Sequence, residues 1–274
     1  MPRVGFICPD GEKIGEKECL AQCRMAERCV PRPILAAMAG SEAGRPVGQI
    51  TATMLLQPAT QMALKMQREY YEAPDSLTYA FRGTSKHEVL DKHSGPDALS
   101  EERLTIIGTV TGKPDQYEDE IVSDWKTTGA YKVKKALAAL EKGGGLLRCP
   151  MQDGQVDFGE DFADWVVQLN AYRYAYLQAG FPVKGIEVWA LVRDFNWMSK
   201  KQGVVKQWYH FPLEVIDEDL LLATLDARLG SLKRTLLVVE EFGFGEPCPK
   251  EETWGGRRCQ GYCPVREYCP KPWA

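Results

Sequence analysis

The sequence predicts an α/β fold in which helices enclose a mixed central sheet, with a small cysteine-rich segment at each end of the chain. Between residues 49 and 240, helical patterns and β-strand patterns follow in the order helices, strands, two helices, strands, helix. That order is typical of an α/β domain. Eight of the nine cysteines lie outside this stretch, near the two termini.

Local signals predict each element in turn. Residues 49–71 are expected to form two helical pieces that separate near Pro58. Ser85 followed by Glu88 has the spacing of a capping box, which predicts that a helix begins there, with His87 in its first turn. The β-branched runs within 103–126 predict antiparallel strands.

The later elements and the links are predicted in the same way. A short apolar stretch passes into a Gly/Pro-containing link within 34–46. The remaining helices are expected over 130–141, 160–180 and 217–240, and the remaining strands over 185–194 and 204–213.

These elements suggest a chain built from three parts. An N-terminal four-cysteine metal module is expected over 1–33 and a C-terminal one over 246–274. The central domain is expected over 34–245. It divides into a helical segment at 47–75, a core at 76–215 and a C-terminal helix at 216–240.

Composition limits the function classes. Of 274 residues, 44% are hydrophobic and 26% are charged, as in an ordinary globular protein. The net charge of −4 means that any nucleic-acid contact must use a local basic patch. No secretory signal and no apolar run of about 18 residues is present, so we expect a cytoplasmic protein with no membrane partner.

The two cysteine clusters share one spacing, C-P-x9-C-x3-C-x5-C. Their members are Cys8, Cys19, Cys23 and Cys29, and Cys248, Cys259, Cys263 and Cys269. Four thiolates suit a tetrahedral Zn²⁺ or an iron–sulfur cluster, and metal binding would stabilise segments that have little apolar surface. The alternative is that they are small buried residues or incidental thiols. Cys149 stands apart and is expected to be buried filler.

A second set of residues has the chemistry of phosphodiester hydrolysis. Asp124 and Lys126 are two residues apart in a predicted strand, so both side chains point to one face. Together with Asp115 and His87 they could hold Mg²⁺ or Mn²⁺, while the lysine orients or helps to deprotonate a water. Whether one or two metal ions bind stays open at this stage.

Gln168 and Tyr172 are expected on one face of a helix, where they could contact substrate. Each of these motifs occurs often by itself: an Asp-x-Lys strand is commonly a solvated edge, and a Gln-x3-Tyr pair is ordinary helix surface. Their joint order and spacing favour a site.

The set Gly83-x3-His87, Gly112-x2-Asp115, Asp124-Trp125-Lys126 and Gln168-x3-Tyr172 resembles the RecB-like branch of the PD-(D/E)XK nucleases. That branch includes the RecB and AddB nuclease domains and CRISPR adaptation nucleases. The match covers roughly residues 49–215, and it implies a restriction-endonuclease-like core.

The resemblance also implies a role for each matched residue. The metal ligands would be His87, Asp115 and Asp124 with the Trp125 carbonyl. Lys126 would be the catalytic lysine, and Gln168 and Tyr172 would contact the substrate.

One departure from the family concerns the cysteines. Members with an iron–sulfur cluster place one ligand at the first helices and three near the C-terminus, whereas LLQPATQMAL has no cysteine here. A locally closed quartet at each end favours two structural Zn²⁺ sites, with [4Fe–4S] as the alternative.

The sequence therefore predicts a Mg²⁺- or Mn²⁺-dependent deoxyribonuclease, exonuclease-like, that acts on single-stranded DNA or DNA ends. The resemblance adds DNA repair and recombination as a setting, with a helicase or recombination protein as partner. Lys132, Lys134 and Lys135 are candidate DNA contacts or a solvated helix face. The alternative function is a catalytically silent nucleic-acid-binding or zinc-module adaptor protein, and a redox iron–sulfur protein is a third idea.

Overall fold

The computed structural model describes residues 3–40 and 49–269. Within these ranges the α-helices are α1 (Glu16–Ala21), α2 (Arg32–Gly40), α3 (Ala52–Leu55), α4 (Ala59–Gln67), α5 (Pro74–Asp91), α6 (Ala130–Lys142), α7 (Ala163–Gln178), α8 (Trp197–Lys201), α9 (Glu218–Phe242) and α10 (Arg257–Gly261). Short 3₁₀ helices span Glu251–Thr253 and Arg266–Tyr268.

The strands of the described ranges are β1 (Arg3–Ile7), β2 (Lys13–Gly15), β3 (Ile50–Thr51), β4 (Tyr70–Glu72), β5 (Leu99–Ser100), β6 (Leu104–Ile107), β7 (Val110–Gly112), β8 (Gln116–Glu118), β9 (Ile121–Thr128), β10 (Met151–Gln152), β11 (Gln155–Val156), β12 (Gly185–Val192) and β13 (Trp208–Pro212). The chain is thus a mixed α/β structure, as predicted. No helix within these ranges has the length and apolarity needed to cross a membrane.

Most of the predicted elements are confirmed. The break near Pro58 separates α3 from α4, and α6, α7 and α9 occupy the three later helical segments. Strands β12 and β13 lie within their predicted ranges, and the pairs β6–β7 and β8–β9 are antiparallel. The predicted link that ends at residue 46 falls largely in 41–48, which lie outside the described residues. Residues 270–274, at the end of the predicted C-terminal module, also lie outside them.

The predicted start of a helix at Ser85 is wrong. Helix α5 begins at Pro74 and continues to Asp91, so Ser85 lies inside it and His87 lies near its end. A proline is favoured at the first helical position because its fixed φ suits the helix and its missing N–H needs no partner there. The spacing of a capping box also occurs inside a helix, where the backbone N–H groups are already bonded.

The chain divides into two compact units. One comprises Met1–Gln49, Gln57–Ser85 and Leu229–Ala274, and contains both cysteine quartets. The other comprises Ile50–Leu56 and Lys86–Arg228, and contains the residues predicted to carry the chemistry.

The second unit is built on a mixed five-stranded sheet of order β13-β12-β9-β8-β5. Strands β9 and β12 are parallel, whereas the other neighbours are antiparallel. Strand β12 alternates strictly between buried and half-buried residues, which is the period-two pattern of a strand with two different faces. A separate sheet of order β3-β7-β6 belongs to the same unit.

Helix α7 packs against strands β9 and β12. Apolar residues surround the helix instead of following one stripe, which is the pattern of a buried helix. Trp165 packs against Phe211 of β13 with ring centroids 5.8 Å apart. This burial holds the helix in place against the sheet, so polar residues on its inner face have fixed positions.

The first unit has its own core beneath the three-stranded sheet β2-β1-β4. Its buried residues are Phe6, Ile14, Cys19, Leu35, Met38 and Leu77. The expectation that the terminal segments have little apolar surface is therefore wrong around Cys19. Sequence reasoning missed this core because its members come from segments that are separated along the chain.

Two glycines of the sequence motifs are expected to respond differently to substitution by alanine. A Cβ at Gly112 would lie 2.4 Å from Cε1 of Tyr172 and 2.9 Å from Cδ1 of Ile106. We expect Gly112→Ala to lower the free energy of unfolding by about 1–3 kcal/mol, because the buried tyrosine must move. Chemical denaturation measures the change.

Gly83 is the matched control. A Cβ there meets no atom within 4 Å, and the residue lies inside α5, where alanine is favoured over glycine by about 1 kcal/mol. We expect Gly83→Ala to leave stability unchanged or to raise it. Equal effects of the two substitutions would contradict the close approach at Gly112.

Candidate active site

Strand β9 brings Asp124 and Lys126 together on one face of the sheet. The Asp124 side chain is almost fully buried, and Lys126 Nζ lies 2.7 Å from its Oδ2 atom. The neighbouring positions on β12 are the buried Val188 and Ala190. The predicted common face of the two residues is confirmed.

Helix α7 supplies the next partners. Lys126 Nζ donates a 2.8 Å hydrogen bond to Gln168 Oε1, and Gln168 Nε2 donates one of 2.7 Å to the Tyr172 hydroxyl. The same amide lies 3.5 Å from Thr53 Oγ1. Gln168 and Tyr172 therefore share a face, as predicted, and the lysine is fixed between a carboxylate and an amide oxygen.

Lys126 carries a positive charge in this arrangement. Burial alone works to lower the pKa of its ammonium, but Asp124, Tyr172 and Asp115 together outweigh that effect, so the pKa is raised above its ordinary value. Burial, followed by the charge of Asp124, raises the pKa of the Tyr172 hydroxyl. The lysine is therefore suited to hydrogen-bond donation and to stabilising negative charge.

Asp115 lies in the turn between β7 and β8 and joins two other elements. Its Oδ2 accepts a 2.6 Å hydrogen bond from the Trp125 backbone N–H, and its Oδ1 lies 2.9 Å from His87 Nδ1. Burial raises the pKa of the Asp115 carboxyl, and the charge of Asp124 raises it further, although His87 opposes the shift. The raised pKa of Asp115 means that its ionised form is disfavoured by burial beside a second carboxylate.

The structure adds Glu101 to the predicted set. Within the described residues, one atom each from His87, Glu101 and Asp115 lie within 4.8 Å of one another. Glu101 also forms an ion pair with Lys113. Its backbone has φ of +57°, a left-handed conformation that is unusual for glutamate and is found more often at functional sites.

Sequence reasoning missed Glu101 because it belongs to none of the motifs and follows a short edge strand. Its neighbour Glu102 is equally acidic, so no local signal separates the two. Asp124 is not part of this group of three, since its carboxylate is paired with Lys126. Carboxylate oxygens with an imidazole nitrogen are a donor set that suits a hard divalent cation such as Mg²⁺ or Mn²⁺.

The candidate basic patch on α6 is largely neutralised. Lys132 pairs with Asp164 at 2.9 Å and Lys135 pairs with Asp161 at 2.8 Å. Lys134 is exposed. These partners favour the interpretation of a solvated helix face over that of a DNA contact.

The C-terminal quartet surrounds a single pocket in the first unit. Cys248, Cys259, Cys263 and Cys269 line it together with Thr60, Gln61 and Leu64 of α4. Burial raises the pKa of the Cys248 thiol to about 12 and also raises that of Cys263. Metal binding would displace these protons and relieve the cost of burying the thiols.

The N-terminal quartet contains one buried thiol, Cys19. Burial, followed by the charges of Cys23, Cys8 and Cys29, raises the pKa of that thiol. In neither quartet do three described sulfur atoms lie within 4.8 Å of one another. Cys149 is buried, and burial raises the pKa of its thiol to about 12.

Comparison with solved structures finds weak likenesses. One is the crystal structure of an alkaline exonuclease, LHK-Exo, from Laribacter hongkongensis, with 10% identity and a TM-score of 0.40, covering 76% of this chain and 97% of that one. Another is a phage-related exonuclease from Haemophilus somnus 129PT, with 10% identity and a TM-score of 0.43, covering 70% of this chain and 96% of that one. No family model and no curated protein matches the chain.

Glu101 provides a direct test of the three-residue group. We expect Glu101→Gln to weaken Mn²⁺ binding roughly tenfold or more, because a charged oxygen donor is replaced by a neutral amide. Isothermal titration calorimetry measures the affinity. The exposed neighbour, in Glu102→Gln, is the matched control and should bind like the wild type; equal affinities in all three proteins would exclude Glu101 as a ligand.

Proposed function

We propose that this protein is a divalent-metal-dependent nuclease that hydrolyses DNA phosphodiester bonds. The observation that carries the proposal is that one unit contains two sets of ionisable residues. They are the donor set His87, Glu101 and Asp115, and the pair Asp124 and Lys126. A structural role for two buried and three half-buried ionisable groups would be costly, because each charge must be paired or solvated. Functional sites are where such clusters are retained.

The donor set fits a Mg²⁺ or Mn²⁺ ion. His87, Glu101 and Asp115 would hold it, with Asp124 and the Trp125 carbonyl as further ligands that the sequence resemblance implies. When bound, such an ion supplies charge stabilisation for a phosphate oxygen and lowers the pKa of a coordinated water. The raised pKa of Asp115 agrees with this assignment, since nearby positive charge would favour the ionised carboxylate.

The protein groups around the metal ligands would orient the reactants. Lys126 is an ammonium, so it can donate a hydrogen bond to a phosphate oxygen or hold the attacking water. Gln168 fixes the lysine and is itself fixed by Tyr172. This fixed geometry lowers the entropy that must be lost when the substrate reaches the reactive arrangement.

The finer features of the proposal come from the resemblance to RecB-like nucleases. They are an exonuclease-like action on single-stranded DNA or DNA ends, and a role in DNA repair or recombination beside a helicase or recombination protein. The chain carries a net charge of −4, so substrate affinity must depend on the site and its few nearby cations.

Cleavage of labelled DNA tests the proposed function. We expect the wild type with Mg²⁺ or Mn²⁺ to degrade single- and double-stranded DNA, and Lys126→Ala to lose about 100-fold or more of the rate, because one charge-stabilising donor is removed. Gel analysis of end-labelled strands distinguishes stepwise shortening from internal cuts. Parallel reactions with RNA define the nucleic acid.

Lys184→Ala is a suitable control, since that exposed lysine of the same unit pairs with Glu120 on the surface. It should retain full activity. Folding of each variant is checked by circular dichroism. A wild type that is inert with both metals and every substrate would contradict the nuclease proposal and favour a nucleic-acid-binding or zinc-module adaptor protein.

We also propose that each cysteine quartet holds a structural metal centre, either Zn²⁺ or [4Fe–4S]. The repeated spacing and the convergence of four thiols on one pocket beside α4 support this for the C-terminal quartet. Zinc would require the sulfurs to close to about 3.8 Å, as follows from a tetrahedron with Zn–S bonds near 2.3 Å. An iron–sulfur cube holds its thiolates farther apart.

Metal analysis of the purified protein tests the quartets. We expect two zinc ions per chain, or two iron–sulfur centres that give brown protein with visible absorbance. Cys263→Ser should lose one centre and become less stable, because the metal supplies folding free energy. Cys149→Ser, which alters a buried cysteine outside both quartets, should retain both centres; a protein free of zinc and iron after anaerobic purification would contradict the proposal.

A further inference from the structure

The connection between strands β12 and β13, residues 193–207, is strongly basic in a chain whose net charge is −4. Its sequence contains four cationic side chains and a single carboxylate, Asp194. That carboxylate accepts a 2.7 Å hydrogen bond from the Ala130 backbone N–H at the start of α6. The four cations are all exposed, and they are Arg193, Lys200, Lys201 and Lys206. The connection is therefore a local basic patch of the kind that nucleic-acid contact requires in this protein.

Apolar and aromatic side chains are exposed among these cations. Trp197 is 62% exposed, and Met198 and Val205 are exposed as well. Lys201 Nζ lies 4.4 Å from the centroid of the Trp197 ring, so it covers one face of the indole and leaves the other open. Exposed aromatic rings beside unpaired cations are the surface on which the bases and phosphates of a single strand bind.

The lysines of the connection differ from those of α6 in their partners. On α6, Lys135 is paired with Asp161 at 2.8 Å. Among the described residues no carboxylate forms an ion pair with the lysines at positions 200, 201 and 206, whose ring contacts are with Phe195, Trp197 and Tyr209. Their charge is thus available to an anionic partner.

Hydrogen bonds within the connection fix its shape. The Asn196 side chain accepts from the backbone N–H groups of Met198 and Ser199, at 2.8 and 3.1 Å. The Ser199 hydroxyl accepts in return from the Asn196 backbone N–H. Further on, the Tyr209 hydroxyl accepts a 2.7 Å hydrogen bond from the Val205 backbone N–H. Rings that are held on such a backbone lose little entropy when a partner binds.

The connection begins at the edge of the sheet where β9 ends, close to the candidate site. Strands β9 and β12 are parallel, with Lys126 opposite Ala190 and Thr128 opposite Val192. The Arg193 backbone N–H extends this pairing through a 2.9 Å hydrogen bond to the Thr128 carbonyl. Lys126 is two residues from the end of β9, which is about 7 Å along a strand.

The far end of the connection also approaches the candidate site. It leads into Trp208, which is exposed, and the centroid of that ring lies 5.6 Å from Lys86 Nζ. Lys86 directly precedes the proposed metal ligand His87 on α5. The connection is thus joined at its two ends to the two elements that carry Lys126 and His87.

We propose that the β12–β13 connection binds single-stranded DNA where the strand continues beyond the candidate active site. The inference rests on the proposed function, because it assumes that DNA occupies that site. Trp197 stacks on an unpaired base, whose face is free in a single strand and covered in a duplex. Lys201 and Lys206 contact phosphates, which positions the strand without reading its sequence.

Binding of a fluorescein-labelled oligothymidylate, measured by anisotropy in EDTA, tests the inference without cleavage. We expect Trp197→Ala to weaken binding roughly tenfold or more, because a stacking partner is lost. Trp197→Phe retains a ring and should bind nearly as tightly as the wild type, with less quenching of tryptophan fluorescence. The matched control is Tyr131→Ala, which removes an exposed ring of α6 that also lies beside a lysine, Lys135, and it should not change the affinity.

The salt dependence of binding tests the lysines separately. Lys201→Ala and Lys206→Ala should each reduce the slope of log affinity against log salt concentration by about 0.7, because each removes one contact to a single-stranded phosphate. Lys142→Ala, at the exposed end of α6, should leave the slope unchanged.

Several results would overturn the inference. They are a wild type that does not bind the oligothymidylate, an unchanged affinity in Trp197→Ala, and an equal loss of affinity by that variant for a blunt duplex. Failure of the proposed function gives a different result. A wild type that binds the strand through Trp197 in EDTA but leaves DNA intact with Mg²⁺ and Mn²⁺ contradicts the nuclease and retains the binding surface.

Discussion

The candidate site depends on the carboxylate of Asp115. One oxygen accepts the backbone N–H of Trp125 and the other faces the imidazole of His87. A single side chain thereby connects the turn before β8, strand β9 and helix α5. Burial raises the pKa of its carboxyl, so a nearby cation would favour the ionised form of the group that joins these elements. Structure and chemistry are coupled at this residue.

Two ion pairs supply positive charge to the site. Lys126 pairs with Asp124 on the same strand, and Lys113 pairs with Glu101. Such clusters are expensive to bury, and the cost is offset only if nearly every charge has an opposite neighbour. The fixed lysine between Asp124 and Gln168 is consistent with preorganisation, in which donors are oriented before a substrate binds.

The cysteines show how far a repeated spacing predicts structure. The matched gaps predict a metal module at each end, which stays a prediction, although the C-terminal thiols do line one pocket. The spacing did not indicate that Cys19 is also part of an apolar core with Phe6 and Leu35. A thiol in that position contributes to packing whether or not it binds metal, because a buried cysteine behaves as a small hydrophobic residue.

The sequence by itself determined the α/β class and most helices and strands. It also determined that Asp124 shares a face with Lys126 and Gln168 with Tyr172, because the periods of 2 and 3.6 residues are local properties of the chain. Only the tertiary structure decided that Glu101 lies beside His87, since chain folding brings them together and no motif contains the glutamate. The burial of the Lys86 Nζ atom was equally invisible in the sequence. An exposed lysine and a buried one have the same local sequence, and only packing by distant segments distinguishes them.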